Sequence, residues 1–305
     1  MKILIATQKP FAAAAVNGIK KIIEDAGHEC ALLEKYPGEA ELIAAAADAD
    51  ALIIRSDKVT AAVLDASKKL KIVVRAGAGY DNVDLDTATA HGVVVMNTPG
   101  QNSNAVAELA VAMMIYMART CFTPATGSEI QGKTIGIQAY GNVGRLVGAK
   151  AGALGMKVQA FDPFLTAQQI EDGGAKAVDS LEQLYASSDY LSIHIPATPQ
   201  TVGSIGRKLV GSMPKGAVLV NTARKEVINE AELLEVLAER EDLKYITDVA
   251  PDRLEEFEKF GTRFFATPKK MGAQTAEANV NAGLAAARQI VDFFATGNRK
   301  FQVNK

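Results

Sequence analysis

The chain has 305 residues, of which 48% are hydrophobic and 22% charged, with a formal net charge of -2. At roughly one domain per 100 to 200 residues this length predicts two domains with sizeable cores. The composition excludes disorder, a basic nucleic-acid-binding face and an acidic tail, and leaves a small molecule as the favoured partner. The two cysteines, Cys30 and Cys121, form no CxxC and no metal-spaced cluster. No disulfide and no metal site are expected, and the compartment is expected to be the reducing cytoplasm.

The first residues, MKILIATQKPF, carry an apolar run too short for a signal-peptide core and predict a first strand. Short runs rich in Val and Ile then alternate with helical patterns: ALIIRS, KIVVRAG, VVVMN, TIGIQAYG, KVQAFD, YLSIHIP, AVLVNTAR and KYITDV. This alternation predicts crossover helices and parallel sheets. The longest apolar stretch, Ala105 to Ala118, contains Glu108 and falls short of the ~20 residues a bilayer requires, so no membrane segment is expected. The helix it belongs to, Asn104 to Arg119, has more buried faces than one domain readily covers, which suggests a homodimer. The stretch CFTPATGSEIQ, residues 121 to 131, has no period and connects that helix to a new strand. A last helical pattern from Gln274 to Thr296 ends at Gly297, a C-cap signal, and is expected to return to the first domain.

The segment KTIGIQAYGNVGRLVGAKAGALGMKVQAFDPF runs strand, Gly-rich turn, helix, strand and then Asp162. In the GxGxxG fingerprint the glycines permit a tight turn, close approach of backbone to a pyrophosphate and close helix packing, while the helix N-terminus stabilises the anion. The six positions here read Ala139-Tyr140-Gly141-Asn142-Val143-Gly144, with alanine for the first glycine. That alanine is tolerable only if its φ is negative. Asp162 lies where a carboxylate accepts bonds from the ribose hydroxyls of NAD and repels the 2′-phosphate of NADP. NAD is therefore the expected cofactor, bound by the turn from Gly141 to Gly144 and by Asp162. In VLVNTARKEV, Arg224 stands just past a strand end, offering a planar donor fork to a carboxylate or, in the alternative, a surface ion pair to Glu226 or Glu230.

NTAR after one strand, DV after the next, TP before a GAQT helix start, and the Gly-rich unit ahead of them together resemble the D-isomer-specific 2-hydroxyacid dehydrogenases over essentially the full chain. The first-half stretch IIRSDKVTAAVLDASKKLKIVVRAGAGYDNVDLDTATAHGVVVMNTPGQNSNAVAEL is similar to the members that act on D-3-phosphoglycerate, in a short form without a C-terminal regulatory domain. The resemblance implies an α/β fold of two Rossmann-like or flavodoxin-like domains with parallel sheets. Residues 1–98 plus 283–305 would form the substrate-binding domain and 99–282 the NAD-binding domain. It implies NAD-dependent oxidation of D-3-phosphoglycerate to 3-phosphohydroxypyruvate, as in serine biosynthesis. By the same resemblance Arg224 binds the substrate carboxylate and C2 oxygen, Asp248 holds the nicotinamide carboxamide, and Ile195, Thr222 and Ala223 line the cofactor. Gly77 and Ala78, in the turn reaching Gly79, present backbone donors to the carboxylate, with Ala78 also near the cofactor. Arg55 and Asn102, helped by Lys58 and Ser103, face the phosphate.

Three departures from the family pattern stand out. The place of the family's catalytic histidine, between TP and GA, is held by lysine: Lys270 counting back from Gly272, Lys269 counting forward from Pro268, with the helix start favouring Lys270. The place of the acidic partner reads Arg253, and the 121 to 131 stretch lacks the basic residue that reaches a neighbouring subunit's substrate in relatives. A free lysine, with its pKa near ~10.4, must lose its proton to accept one from a hydroxyl, and burial with nearby cations favours that loss. Of the three histidines, only His194, at a strand end, rivals it as a base. The competing functions are a reductase of glyoxylate, hydroxypyruvate or another small 2-keto acid and, in another class, an NAD-binding corepressor-like scaffold.

Overall fold

The computed structural model describes residues 1–304. From the N-terminus the elements alternate as β1 (Lys2–Thr7), α1 (Ala13–Asp25), β2 (Glu29–Glu34), α2 (Glu39–Ala46), β3 (Ala51–Ile54), α3 (Ala61–Ala66), β4 (Ile72–Arg75), α4 (Leu85–Ala90) and β5 (Val94–Asn97). The helix α5 (Ser103–Ala118) leads into β6 (Thr134–Gln138), α6 (Asn142–Ala153), β7 (Lys157–Phe161), α7 (Ala167–Glu171), β8 (Lys176–Ala177), α8 (Leu181–Ala186) and β9 (Tyr190–Ile193). Then follow α9 (Arg207–Gly211), β10 (Val218–Asn221), α10 (Glu230–Glu239), β11 (Lys244–Thr247), α11 (Leu254–Glu258), β12 (Phe264–Ala266) and the terminal helix α12 (Ala276–Thr296).

The chain divides into two compact units, Met1–Asn102 with Gln274–Lys305, and Ser103–Ala273. The sequence expectation draws these divisions at 98/99 and 282/283. In the first unit the described residues form a five-stranded parallel sheet in the order β2-β1-β3-β4-β5, the flavodoxin-like order. In the second they form a seven-stranded parallel sheet in the order β12-β11-β10-β9-β6-β7-β8, a doubly wound arrangement that reverses direction at β6 and β9. Sheets covered on both faces require strands apolar throughout, and β3, β9 and β10 are buried at every position.

Helix boundaries follow from side chains that satisfy the orphan amides. Asp84 caps α4 through Thr87 N, Asn229 caps α10 through Glu232 N, and Thr275 caps α12 through Ala278 N. Gly297, at φ +74°, ends α12 in the left-handed conformation with its amide on Phe293 O. The terminal helix does return to the first unit. There Ala282, Ala286, Ala287 and Ile290 join Ile3, Ile5, Ile19 and Val74 in one core. The crossing with α1 is close: a methyl on Gly18 would meet Leu284 Cδ2 at 2.6 Å, and one on Gly283 would meet Ile19 Cδ1 at 2.7 Å. Both cysteines are free thiols, and no helix among the described residues is long and apolar enough to cross a membrane.

Candidate active site

Open α/β sheets bind ligands outside the carboxyl ends of their strands, and the sequence-predicted residues of the second unit collect there. The turn from β6 to α6 contains Ala139 to Gly144. A methyl on Gly144 would lie 2.3 Å from Ala139 O and 3.0 Å from Ile137 Cγ2, so only glycine allows α6 this close to its strand. Around Gly141 there is no heavy atom within 4 Å of such a methyl, which leaves backbone open to a ligand. Asn142 is exposed and Val143 packs against the core. Asp162 ties the turn to β7: its Oδ2 accepts from Tyr140 N and its Oδ1 from Phe164 N, both at 2.9 Å.

Ala139 corrects the expectation of a negative φ, because it sits at φ +73°. Its amide still bonds to Phe161 O at the end of β7 (2.9 Å) while its carbonyl lies against Gly144. The reversal from strand to helix therefore demands the left-handed conformation whatever residue is present, at a cost of about 1–2 kcal/mol for a residue with a Cβ.

A second cluster gathers behind β10, β11 and β12. Asn221 closes the NTAR turn, accepting from Ala223 N and donating to Arg224 O, each at 2.9 Å. Arg224 Nη1 donates to Ala223 O (2.9 Å), and Lys270 Nζ donates to the same carbonyl. Asp248 is buried, and its Oδ2 accepts from Gly272 N (2.8 Å). A methyl on Gly272 would stand 2.7 Å from that oxygen and 3.2 Å from Val106 Cγ2, so this glycine is required for the contact. Thr267 Oγ1 lies 2.7 Å from Asp248 O and 2.8 Å from Lys269 O, which fixes the loop and turns the Lys269 carbonyl inward. Of the two lysines, the structure thus brings Lys270 to Arg224, while Lys269 is held by its backbone.

Burial pushes the Asp248 carboxyl above the usual carboxylate range, and Lys270, the Gly272 amide and Arg224 pull it back. Asp248 Oδ1 and the hydroxyl of Thr222 are buried with no partner among the described residues. Buried polar atoms are rarely left unpaired unless something else completes them. A nicotinamide carboxamide, with donors and an acceptor at one end of an apolar ring, fits the pair. Ile195 lies partly buried against the neighbouring core.

Two expectations change. His194 Nε2 is 2.9 Å from Ser192 Oγ, and burial lowers its pKa to about 3, so the ring is neutral and a poor proton acceptor. Arg253 does not turn to the lysines: its Nε and Nη2 grip Glu256 at 2.6 and 2.7 Å. Arg224 forms no ion pair with Glu226 or Glu230 among the described residues, because its guanidinium is turned to its own loop.

The family model described as D-isomer specific 2-hydroxyacid dehydrogenase, catalytic domain, matches residues 13–304. The chain belongs to this family. It is 35% identical over 289 residues to the D-3-phosphoglycerate dehydrogenase of Methanocaldococcus jannaschii, covering 88% of this chain and 54% of that protein. It is 36% identical over 271 residues to the enzyme of the same name from Mycobacterium tuberculosis, covering 83% and 51%. The chain thus spans about half the length of the curated relatives it matches. Among solved structures, the NAD+-bound 3-phosphoglycerate dehydrogenase of Entamoeba histolytica is 48% identical, with a TM-score of 0.89 and coverage of 100% of this chain and 99% of that one. A D-2-hydroxyisocaproate dehydrogenase shares the fold at 20% identity, with a TM-score of 0.85.

The chain carries its remaining candidates on the first unit and, with Ser103, at the start of α5. Gly77, at φ +155°, and Ala78 form a turn after β4, held by Thr98 N on Gly77 O (2.9 Å) and Asn97 Nδ2 on Ala78 O (2.6 Å). Arg55 follows β3 with its guanidinium on the carbonyls of Lys9 and Pro10. Lys58 is exposed, Asn102 is half-buried at the end of the unit, and Ser103 is buried at the start of α5. Sequence reasoning missed the contacts that Gly272 and Asn221 make at this site.

Proposed function

We propose that this chain is a cytoplasmic, homodimeric, NAD-dependent dehydrogenase that oxidises D-3-phosphoglycerate at C2 to 3-phosphohydroxypyruvate. The observation that carries this reading is the convergence of Lys270 Nζ and Arg224 Nη1 on one carbonyl, Ala223 O, in a chain 48% identical over its whole length to an NAD+-bound 3-phosphoglycerate dehydrogenase. The unpaired Asp248 Oδ1 and Thr222 hydroxyl, the open backbone at Gly141 and the carboxylate of Asp162 suit the nicotinamide, pyrophosphate and ribose of the cofactor.

Bound NAD supplies the hydride acceptor. Arg224 binds the substrate carboxylate and polarises the C2 oxygen, and the C2 hydroxyl proton passes to Lys270 Nζ as the C2–H bond breaks. The ammonium form of Lys270, which attracts the Asp248 carboxylate, is the acid that the reverse reaction, reduction of the keto acid, requires. Oxidation then draws on the fraction of neutral amine and accelerates as pH rises.

The test is NADH formation from 3-phosphoglycerate, read by absorbance beside D-glycerate and with glyoxylate and hydroxypyruvate in the reverse direction. Higher kcat/KM for the phosphorylated acid supports the proposal. Preference for the unphosphorylated keto acids makes the chain a reductase of that class, and NAD binding without turnover of any of them leaves the scaffold reading.

A further inference from the structure

The buried hydroxyl of Ser192 has one place to send its proton, and we infer that it fixes His194 as the tautomer with hydrogen on Nδ1, which donates to an oxygen of the nicotinamide ribose of NAD. The inference rests on the NAD-binding reading of the second unit and is independent of which hydroxy acid is oxidised.

The sheet places His194 between the two halves of the cofactor site. It follows β9, the strand beside β6 where the strand order reverses. Ile137 of β6, Ser192 of β9, Val220 of β10 and Ile246 of β11 lie side by side in register. Side chains two residues apart share a face, so His194, Thr222 and Asp248 continue that row just past the strand ends. The backbone pairing runs on with them: His194 N donates to Gln138 O (3.0 Å) and Asp248 N to Asn221 O (3.1 Å). Thr222 and Asp248 each keep a buried oxygen without a partner among the described residues, the pair suited to the nicotinamide carboxamide. On the other side of β9, the turn from β6 into α6 has open space at Gly141, where the diphosphate is expected. In NAD the group joining diphosphate to nicotinamide is a ribose, and the strand between those two places is β9. Neighbouring strands lie about 4.8 Å apart, so the ribose falls to the side chain at position 194.

The chemistry of that side chain is set from behind. Ser192 is fully buried, and its Oγ has a single hydrogen-bond partner among the described residues, His194 Nε2 at 2.9 Å. If Nε2 were the donor, the serine O–H would be left buried and unpaired; if the serine donates, both atoms are satisfied. Nε2 is then the acceptor, and a neutral ring carries its proton on Nδ1. Burial keeps the ring neutral, with its pKa lowered to about 3, so no second cation is set beside the positive nicotinamide ring. Nδ1 has no hydrogen-bond partner among the described residues, and the residue is only partly covered by the protein. The result is a neutral donor of fixed direction, matched to a ribose hydroxyl oxygen.

The experiment uses two amides that divide the imidazole between them. Counted in bonds from Cβ, the Asn amide nitrogen takes the place of Nδ1 and the Gln amide takes the place of Nε2. His194→Gln should weaken NAD and ADP-ribose by about 3- to 10-fold in calorimetric titration, the loss of one neutral hydrogen bond, and leave ADP unchanged. It should keep the bond to Ser192 and hence its Tm. His194→Asn should bind NAD and ADP-ribose within about twofold of the unmutated chain, yet lower Tm by about 2–6 °C because the Ser192 hydroxyl loses its partner. A purely structural histidine would move affinity and Tm together. In the chain labelled with 15N-histidine, the resonance lost in His194→Asn should report a proton on Nδ1, and Ser192→Ala should spread that proton over both nitrogens. A proton on Nε2 in the unmutated chain, or an affinity loss confined to His194→Asn, overturns the inference. Equal weakening of ADP and ADP-ribose in His194→Gln puts the contact on the diphosphate and overturns the ribose assignment. An unmutated chain with no affinity for NAD or ADP-ribose defeats the cofactor reading and this inference with it, whereas the expected affinities in a chain that does not turn over 3-phosphoglycerate support the inference and sink only the substrate reading.

Discussion

Two buried aspartates stand just beyond strand ends, one in each unit, and their surroundings differ in kind. Asp57, after β3, accepts from Gln8 N and the Tyr36 hydroxyl at 2.7 Å and from Arg55 N at 3.3 Å, so both of its oxygens are occupied by the protein. Asp248, after β11, accepts from Gly272 N through Oδ2 and keeps Oδ1 buried without a partner among the described residues. A closed set of bonds holds loops together. An open one stores a desolvation cost that a ligand can relieve. Burial of a charged side chain is therefore a poor guide to function, whereas the state of its hydrogen bonds is informative.

The sharpest break between the two regions should come from the lysine beside Asp248. Lys270→Met should lower kcat for oxidation by roughly 10²- to 10⁴-fold, the usual share of general acid–base catalysis, with NAD affinity measured by fluorescence titration little changed. Lys269→Met should stay within a few-fold of the unmutated rate, since that residue enters the loop through its carbonyl. In the unmutated enzyme kcat for oxidation should climb with pH, and in Lys270→Met the residual rate should lose that slope. Near-normal turnover in Lys270→Met together with an inactive Lys269→Met would move the base one residue back.

Replacing each aspartate by asparagine probes the comparison itself. Asp57→Asn turns an NH2 group toward at least one donor it cannot accept from, and should cost about 2–3 kcal/mol in denaturant unfolding with the preference between cofactors unchanged. Asp248→Asn removes a carboxyl whose ionised form burial disfavours, so stability should fall much less while KM for NAD rises. The opposite order, with Asp248→Asn the less stable protein, would show that Asp248 serves the fold as Asp57 does.

How far the sequence carries the two regions follows from the same contrast. The second unit was legible because its chemistry is written in backbone demands: glycines where α6 approaches β6, an aspartate one strand on, and NTAR and DV at successive strand ends. The register between Lys269 and Lys270 stayed open because it depends on Thr267 holding the loop and on Gly272 lying against Asp248, contacts between residues about twenty apart in sequence. In the first unit the arginines carry no such mark. Whether Arg55 binds a ligand or Lys9, Pro10 and Asn279 is decided by partners from two segments, one of them 224 residues away. The packing of Asn304 on β5, where its side chain takes Val95 N (2.8 Å) and gives to Val93 O (2.9 Å) like a strand backbone, is equally invisible in NRKFQVNK.

The smallest effect concerns the one place in the second unit where a backbone demand and the residue disagree. Ala139 holds φ +73° with its amide bonded to Phe161 O, so the conformation is imposed by the turn and the methyl group carries the strain. Ala139→Gly removes that strain, about 1–2 kcal/mol, and adds the greater freedom of glycine in the unfolded chain, about 0.4–1 kcal/mol in the other direction. The balance favours the variant by up to about 1.6 kcal/mol, a rise in Tm on the order of 1–3 °C for a chain of this size. KM for NAD should not increase, because Gly141, not residue 139, offers the open backbone. A fall in Tm in Ala139→Gly would mean that the methyl packs usefully where it stands, and the alanine would then be a gain in rigidity rather than a strained substitute for glycine.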